Sequence, residues 1–229
     1  MFNKYKIYIL SIFILVIFFL YRFKFKTFEY YDNLYHGWNN YRLGDCIKSK
    51  NEWFKDFHLK KYPNSIASKY LKKTKKKNDY NILYDIVKTY NNNTPQDNVV
   101  IHLRIGDVLE KKGWCNNHTC KNYSYEDINI YKKIANDIKN NTNFKNIIIV
   151  AGSHYNYNNY DNSYKYINQV ENIFKDKGFN VKKRLGYNPD SDLVYMSNSK
   201  YFVSSGTRGG FTKIISEMVN RNNGTVYKL

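Results

Sequence analysis

Arg104 and Asp107 close an otherwise apolar run, Val99-Val100-Ile101-His102-Leu103-Arg104-Ile105-Gly106-Asp107. The run reads as a buried strand that delivers charge to its C-terminal tip. Ligands of open α/β sheets bind just beyond the carboxyl ends of the strands, and a guanidinium placed there matches the oxygens of a diphosphate. Gly106 lets the backbone turn at that point. A second tip of the same kind lies further along, where a short strand over 200–205 runs into Gly206-Thr207-Arg208-Gly209-Gly210-Phe211 and then into an apolar-periodic helix. A glycine-rich strand-to-helix turn aims backbone N–H groups and the positive end of the helix dipole at an anion. Ser204, Ser205 and Thr207 add hydroxyls beside it. Two anion-directed strand ends in one chain point to a nucleotide site.

Each of these residues also has a plainer reading. Arg104 and Asp107 can pair on a simple surface turn, and Asp107 can brace Arg104 rather than meet a substrate. His102, two residues inside the strand, serves equally as a hydrogen-bonded core histidine or as a ligand contact. The Gly209-Gly210 pair can serve close helix–sheet packing, and Arg208 is either a phosphate contact or a solvated side chain. Cys115, His118 and Cys120 could be drawn together around a metal. They lack a fourth ligand close in sequence, where zinc sites recruit paired ligand motifs. No metal is therefore expected, and Cys115 and Cys120 are left as a small disulfide loop or as thiols, with Cys46 odd.

The elements that must hold the two tips follow from periodicity. Asp79 to Tyr90 reads as a helix with Leu83, Ile86, Val87 and Tyr90 on one face. Tyr41-Arg42-Leu43-Gly44-Asp45-Cys46-Ile47 reads as a glycine turn leading into a helix, and residues 91–98, with Pro95, as a linker. Beyond it strand and helix alternate. Ser124-x-x-Asp127 reads as a capping box opening a helix with the stripe Ile128, Tyr131, Ile134, Ala135 and Ile138. Residues 146–151 are a continuous apolar strand of the kind buried on both faces of a parallel sheet. A helix bearing Ile167, Val170, Ile173 and Phe174 follows, then a strand over 179–184 and a short helix from Pro189-Asp190 through Met196. The strand at Tyr201, the helix with Phe211, Ile214, Ile215, Met218 and Val219, and a last strand from Thr225 complete the series. Repeated βα units with short connections predict an α/β fold, a Rossmann-like parallel sheet with flanking helices.

The chain of 229 residues divides into a basic, apolar N-terminal anchor (1–26), a small, mainly helical region (27–96) and the Rossmann-like domain (97–229). Residues 7–21 carry no charge, are flanked by Lys4, Lys6, Arg22, Lys24 and Lys26, and approach the span of about 17–25 residues that a transmembrane helix needs. No small-x-small cleavage site follows them, so an uncleaved signal anchor is expected rather than a signal peptide. The formal net charge is +18, and residues 1–96 hold 18 Lys+Arg against 7 Asp+Glu, with six lysines within positions 69–77. Lys, Asn, Tyr, Ile and Phe are abundant together, which is a codon-composition signature. The lysine excess is therefore read as solvated surface, and no nucleic-acid partner is expected.

His102-Leu103-Arg104-Ile105-Gly106-Asp107 is similar to the His-x-Arg-x-x-Asp motif of the α1,2-, α1,6- and protein O-fucosyltransferase superfamily. Ser204-Ser205-Gly206-Thr207-Arg208-Gly209-Gly210-Phe211, preceded by Asp190-Ser191-Asp192-Leu193, resembles the Ser/Thr-Phe loop that closes the nucleotide site in those enzymes. Ile105 stands where the α1,6- and α1,2-type motif usually has a second arginine, and residues 27–93 are shorter than the family's acceptor domain. The resemblance implies the C-terminal half of a GT-B-type, metal-independent, inverting transferase that uses GDP-fucose or a related nucleotide sugar and needs no cofactor. A glycan or glycoprotein is the acceptor expected, and the short apolar span, which suits the thinner membranes of the early secretory pathway, leads to the expectation of a single-pass protein of an ER- or Golgi-type membrane with the body lumenal. Donor binding would fall to His102, Arg104, Gly106, Ser204, Ser205, Gly206, Thr207, Arg208, Gly209, Gly210 and Phe211, and catalysis to Arg104 with Asp107 and Glu110. Two other functions compete: a degenerate, non-catalytic carbohydrate- or nucleotide-binding relative, and a basic membrane-tethered protein that binds polyanions.

Overall fold

Apolar residues alternate along Asn98–Arg104 so that both faces of the strand are dry. Val99, Ile101 and Leu103 point into one core and Val100 into another. A strand buried on both faces belongs in the middle of a parallel sheet, and that is where this one (β1) lies in the computed structural model, which describes residues 34–37, 43–48, 52–74, 78–90, 98–110, 127–206 and 210–227. Four further strands flank it: β2 (Asn146–Gly152), β3 (Asn180–Leu185), β4 (Tyr201–Val203) and β5 (Thr225–Tyr227). All neighbours are parallel, in the order β3-β2-β1-β4-β5. The chain winds outward from β1 in one direction to β3, then returns to β4 on the other side of β1. The order reverses at β1, the geometry that opens a crevice at the carboxyl ends of the strands.

Helices cover both faces. On one lie α6 (Asn129–Asn141) and α7 (Asp161–Asp176), which bury Tyr131, Ile134, Ala135, Ile138, Ile167, Val170 and Phe174 against β1 and β2. On the other lie α8 (Pro189–Ser197) and α9 (Gly210–Arg221), joined by helices from before the sheet: α1 (Leu43–Lys48), α3 (Ile66–Lys73) and α4 (Tyr80–Lys88). Helix α2 (Glu52–Lys61) leans on α3, where Ser68 Oγ donates to the carbonyl of His58 at 3.1 Å. The helical region that precedes the sheet thus shares a core with it, and Leu34–Leu229 is one compact unit. A boundary at residue 96 marks a change of secondary structure within that unit. A short turn, α5 (Asp107–Glu110), follows β1 directly.

Local details differ from the periodic reading in three places. Gly44 lies inside α1 rather than in a turn before it, on the side of the helix that faces the main chain of Gly210. Helix α6 takes its first cap from Asp127, whose Oδ1 accepts from Asn129 N at 2.9 Å, and Ser124 lies outside the described residues. Strand β4 is only three residues long, so Ser204 and Ser205 fall beyond it as part of the turn. Among the described residues no helix is long and apolar enough to cross a membrane. The apolar segment 7–21, the lysines at 75–77, the linker 91–97 and Cys115, His118 and Cys120 lie outside them.

Candidate functional site

The ends of β1 and β4 lie side by side at the point where the strand order reverses. Val99, Val100 and Ile101 of β1 pair with Tyr201, Phe202 and Val203 of β4, so the next residues of both strands leave the sheet side by side. His102 links them: its Nδ1 lies 3.2 Å from Ser205 Oγ and 3.3 Å from Thr212 Oγ1, and its ring meets Phe211 edge-on at 5.8 Å. Burial, then the nearby charges of Arg104 and His36, push the imidazole pKa down to about 3. His102 is therefore neutral at physiological pH. Nδ1 meets both hydroxyls, as a donor in one neutral tautomer and as an acceptor in the other.

Arg104 is held from the other side. Its Nη2 donates to both oxygens of Asp107, at 2.9 and 2.8 Å, and Asp107 is itself buried, with His154 Nε2 3.8 Å from its Oδ2. Asp107 can reach back because Gly106 adopts φ +71, a left-handed conformation that favours glycine, and a Cβ at Gly106 would collide with Ser153 Oγ. Gly106 N–H donates to Ser163 Oγ at 3.1 Å. Glu110 has a different employment. Its carboxylate accepts from Ser163 N at 2.7 Å and Asn162 Nδ2 at 3.2 Å, which caps α7 in place of Tyr160, the residue at its N-terminus. Ile105, at the position of the second arginine of the resembling motif, is a core residue, 1% exposed.

Register extends the site sideways. His102 pairs with Val150 and Val150 with Arg184, so these three side chains point to the same face of the sheet. One step on, Arg104 pairs with Gly152, and the ring of His36 lies against Gly152 where a side chain would otherwise stand. The segment 34–37 is fastened there by Ser153 N donating to the carbonyl of Leu34 at 2.6 Å and His36 N donating to Ser153 O at 2.9 Å. His36 Nδ1 lies 2.8 Å from the carbonyl of Gly37. Burial lowers the His36 pKa against the opposing pull of the Gly37 and Gly152 carbonyls, and the charge of Arg104 lowers it further. His36 and His154 were not legible as site residues. The usable signal was the glycine at the end of β2, which leaves room for a ring from elsewhere.

At the end of β3, Arg184 donates from Nε to Asp192 Oδ1 and from Nη2 to Ser191 Oγ, both at 2.7 Å. Its guanidinium carbon sits 3.9 Å from the ring centre of Tyr187 and 4.7 Å from that of Tyr195. Burial pushes the Asp192 pKa up to about 6 although Arg184 pulls it down. Asp190, on the same helix, is turned elsewhere: its Oδ2 accepts from Ile66 N at 2.7 Å and caps α3.

Of the remaining residues of the second tip, Ser204 Oγ donates to Gly206 O at 3.1 Å, Ser205 is buried beside His102, and Gly210 opens α9. Thr207, Arg208 and Gly209 lie outside the described residues. The site therefore brings together His102, Arg104, Gly106, Ser205, Gly210 and Phe211, with Thr212 as an addition. Asp107 and Glu110 serve Arg104 and α7. Among the described residues no group of three His, Cys, Asp or Glu side chains is placed to hold a metal ion.

No family model matches the chain, and no curated protein matches it. Among solved structures it is similar to crystal structures of POFUT1. The complex with GDP-fucose in crystal form I is 12% identical, with a TM-score of 0.38 over 66% of this chain and 44% of that one. The apo form is 11% identical, with a TM-score of 0.39 over 67% and 47%. The GDP complex is 13% identical, with a TM-score of 0.38 over 77% and 58%. The chain thus spans about half the length of these solved chains.

Proposed function

We propose that this chain binds a nucleoside-diphosphate sugar at the carboxyl ends of β1 and β4 and transfers the sugar to a hydroxyl, as a metal-independent inverting glycosyltransferase of fucosyltransferase-like type. The observation that carries the reading is the junction of the two tips: Ser205 Oγ and Thr212 Oγ1 lie 3.2 and 3.3 Å from Nδ1 of His102, two residues before Arg104 on the same strand face. In this reading a guanidinium, a neutral imidazole and the N-terminus of α9 converge where an anion would rest.

In the reaction the acceptor oxygen forms a bond to the anomeric carbon as the bond from that carbon to the β-phosphate oxygen breaks. The leaving diphosphate takes the electron pair. Arg104 and the N–H groups at the start of α9 stabilise that developing charge more in the transition state than in the bound substrate. Asp107 acts through Arg104 as a positioning residue. Glu110 keeps lone pairs beyond its two hydrogen bonds and in this reading takes the acceptor's proton. GDP-fucose is the donor that the His102-x-Arg104-x-x-Asp107 motif favours, with a glycan or glycoprotein as acceptor. In this reading residues 1–26 tether the body to a membrane of ER or Golgi type; the uncharged run 7–21 supports the tether.

Thermal unfolding of the chain across a panel of nucleoside diphosphates and nucleotide sugars tests the reading. GDP or GDP-fucose at about a hundred times its Kd should stabilise the fold by about 2.7 kcal/mol, and Arg104→Ala should abolish the shift. No shift with any nucleotide, from folded protein, sinks it. A second reading, a binder without turnover, is favoured by the prior engagement of Asp107 and Glu110 within the fold. Binding of GDP-fucose without release of GDP in the presence of glycan acceptors would select it.

A further inference from the structure

Three large apolar side chains are conspicuously exposed among the described residues: Tyr35, Phe57 and Tyr187. Phe57, on α2, is already met by Tyr62 and by the ammonium of Lys61. Tyr187 is different. It is the most exposed of the three, at 51%, and it follows the carboxyl end of β3 immediately after Gly186. An aromatic side chain left half in water is normally mobile. This one is stacked on the guanidinium of Arg184, which in turn is fixed by Asp192, Ser191 and Tyr195.

The position of that stack matters. Arg184 shares a row with Val150 and His102 across the sheet, and the next row runs from Arg104 through Gly152 towards the turn that carries Tyr187. Gly186 N donates to the carbonyl of Ala151 at 2.9 Å, which keeps that turn on the same rim. β1 and β3 are two inter-strand spacings apart, about 9.6 Å, and the row between them holds Gly152, with the ring of His36 laid against it. A rim with an arginine at one end, a low floor, and a rigid aromatic at the other has the layout of an elongated ligand that is anionic at one end and flat at the other.

We propose that Tyr187, held by Arg184, is the stacking platform for the nucleobase of the nucleoside diphosphate whose phosphates meet Arg104. The inference rests on the donor-site reading above and adds the direction in which the nucleotide lies: phosphates at β1 and β4, base towards β3. Stacking supplies affinity for any base, since every base has a π-face, while the polar groups of the turn and of α8 are left to choose among bases. The Arg184 guanidinium under the ring keeps the platform flat before ligand arrives, so less side-chain freedom is lost on binding.

Isothermal titration of the chain with GDP, UDP, ADP and inorganic pyrophosphate, on the wild type and on Tyr187→Ala, Tyr187→Trp and Arg104→Ala, tests it. The tightest-binding nucleoside diphosphate should lose about tenfold or more in affinity in Tyr187→Ala, the worth of one base stack. Pyrophosphate should bind that variant as it binds the wild type, and Tyr187→Trp should retain nucleotide affinity. Arg104→Ala should lose nucleotide and pyrophosphate alike. Equal nucleotide affinity in Tyr187→Ala and wild type overturns the platform and leaves the donor site standing. Equal losses of nucleotide and pyrophosphate in Tyr187→Ala also overturn it, because the effect then runs through the turn rather than through the base. Failure of the wild type to bind any of the four overturns the donor-site reading itself.

Discussion

Arg104 reaches Asp107 through one terminal nitrogen, which donates to both carboxylate oxygens, and the carboxylate is the more deeply buried partner. A pair of this kind is costly to break from one side, because the survivor is left with its charge poorly solvated. Asp107→Asn should lower the unfolding free energy in urea by about 1–3 kcal/mol, less than for a fully buried pair since Arg104 keeps some contact with water. Saturating pyrophosphate should recover part of that loss by supplying the missing anion. An Asp107→Asn protein as stable as the wild type would mean that solvent already screens the pair. The arginine at the strand tip was legible from sequence because an apolar run has few reasons to end in Arg-x-Gly-Asp. The choice of Asp107 as a brace rather than a base was not, because it depends on the left-handed turn at Gly106 and on Ser153, which seats that turn from another strand. His36 was invisible for a similar reason: nothing in its own neighbourhood has a period, and its place is set by the missing side chain of Gly152.

Among the elements, α3 and α8 are tied at their N-termini by one carboxylate. Asp190 Oδ2 accepts from Ile66 N, while its other oxygen is buried with no hydrogen-bond partner among the described residues. Burial pushes its pKa up to about 7, against the opposing pull of the Ile66 N–H and of Lys69. An acid whose folded-state pKa lies above its unfolded value binds its proton more tightly when folded. Its contribution is fully present below about pH 4, is lost as pH rises through about 7, and stays constant above that. The difference in unfolding free energy between wild type and Asp190→Asn should therefore fall across that window and level off above it. A difference independent of pH would show that Asp190 titrates alike in the folded and unfolded chain. The strands and the helix stripes were legible because burial imposes a period on each segment by itself. The link from Asp190 to Ile66, the cap that Glu110 gives to α7, and the entry of Gly44 into α1 against Gly210 are meetings of distant segments. Sequence spacing cannot reveal such meetings, and they decide which side chains remain for ligand.

The whole molecule carries a formal charge of +18, which raises the question of whether anions meet a site or merely a field. The two give different salt laws. A polyanion lying across six to ten lysines releases counterions from every contact and loses about 10³–10⁵ in affinity between 50 and 200 mM salt. A nucleoside diphosphate seated as proposed, at Arg104 and the start of α9, would be held largely by one guanidinium, with the hydroxyls that the fold brings to the ends of β1 and β4 beside it. Sites partly withdrawn from water are screened less than surface charges. GDP affinity measured by titration calorimetry should therefore weaken by about tenfold or less over that salt range. Binding of a long single-stranded nucleic acid to the same protein, where it occurs, should collapse. If GDP and nucleic acid lost affinity in parallel, with slopes that scale only with their charge, the lysine-rich surface would be the binding element. The convergence of the strand ends would then serve the fold alone. Separate slopes would assign the nucleotide to the crevice and leave the excess charge to solubility and to steering anionic ligands towards it.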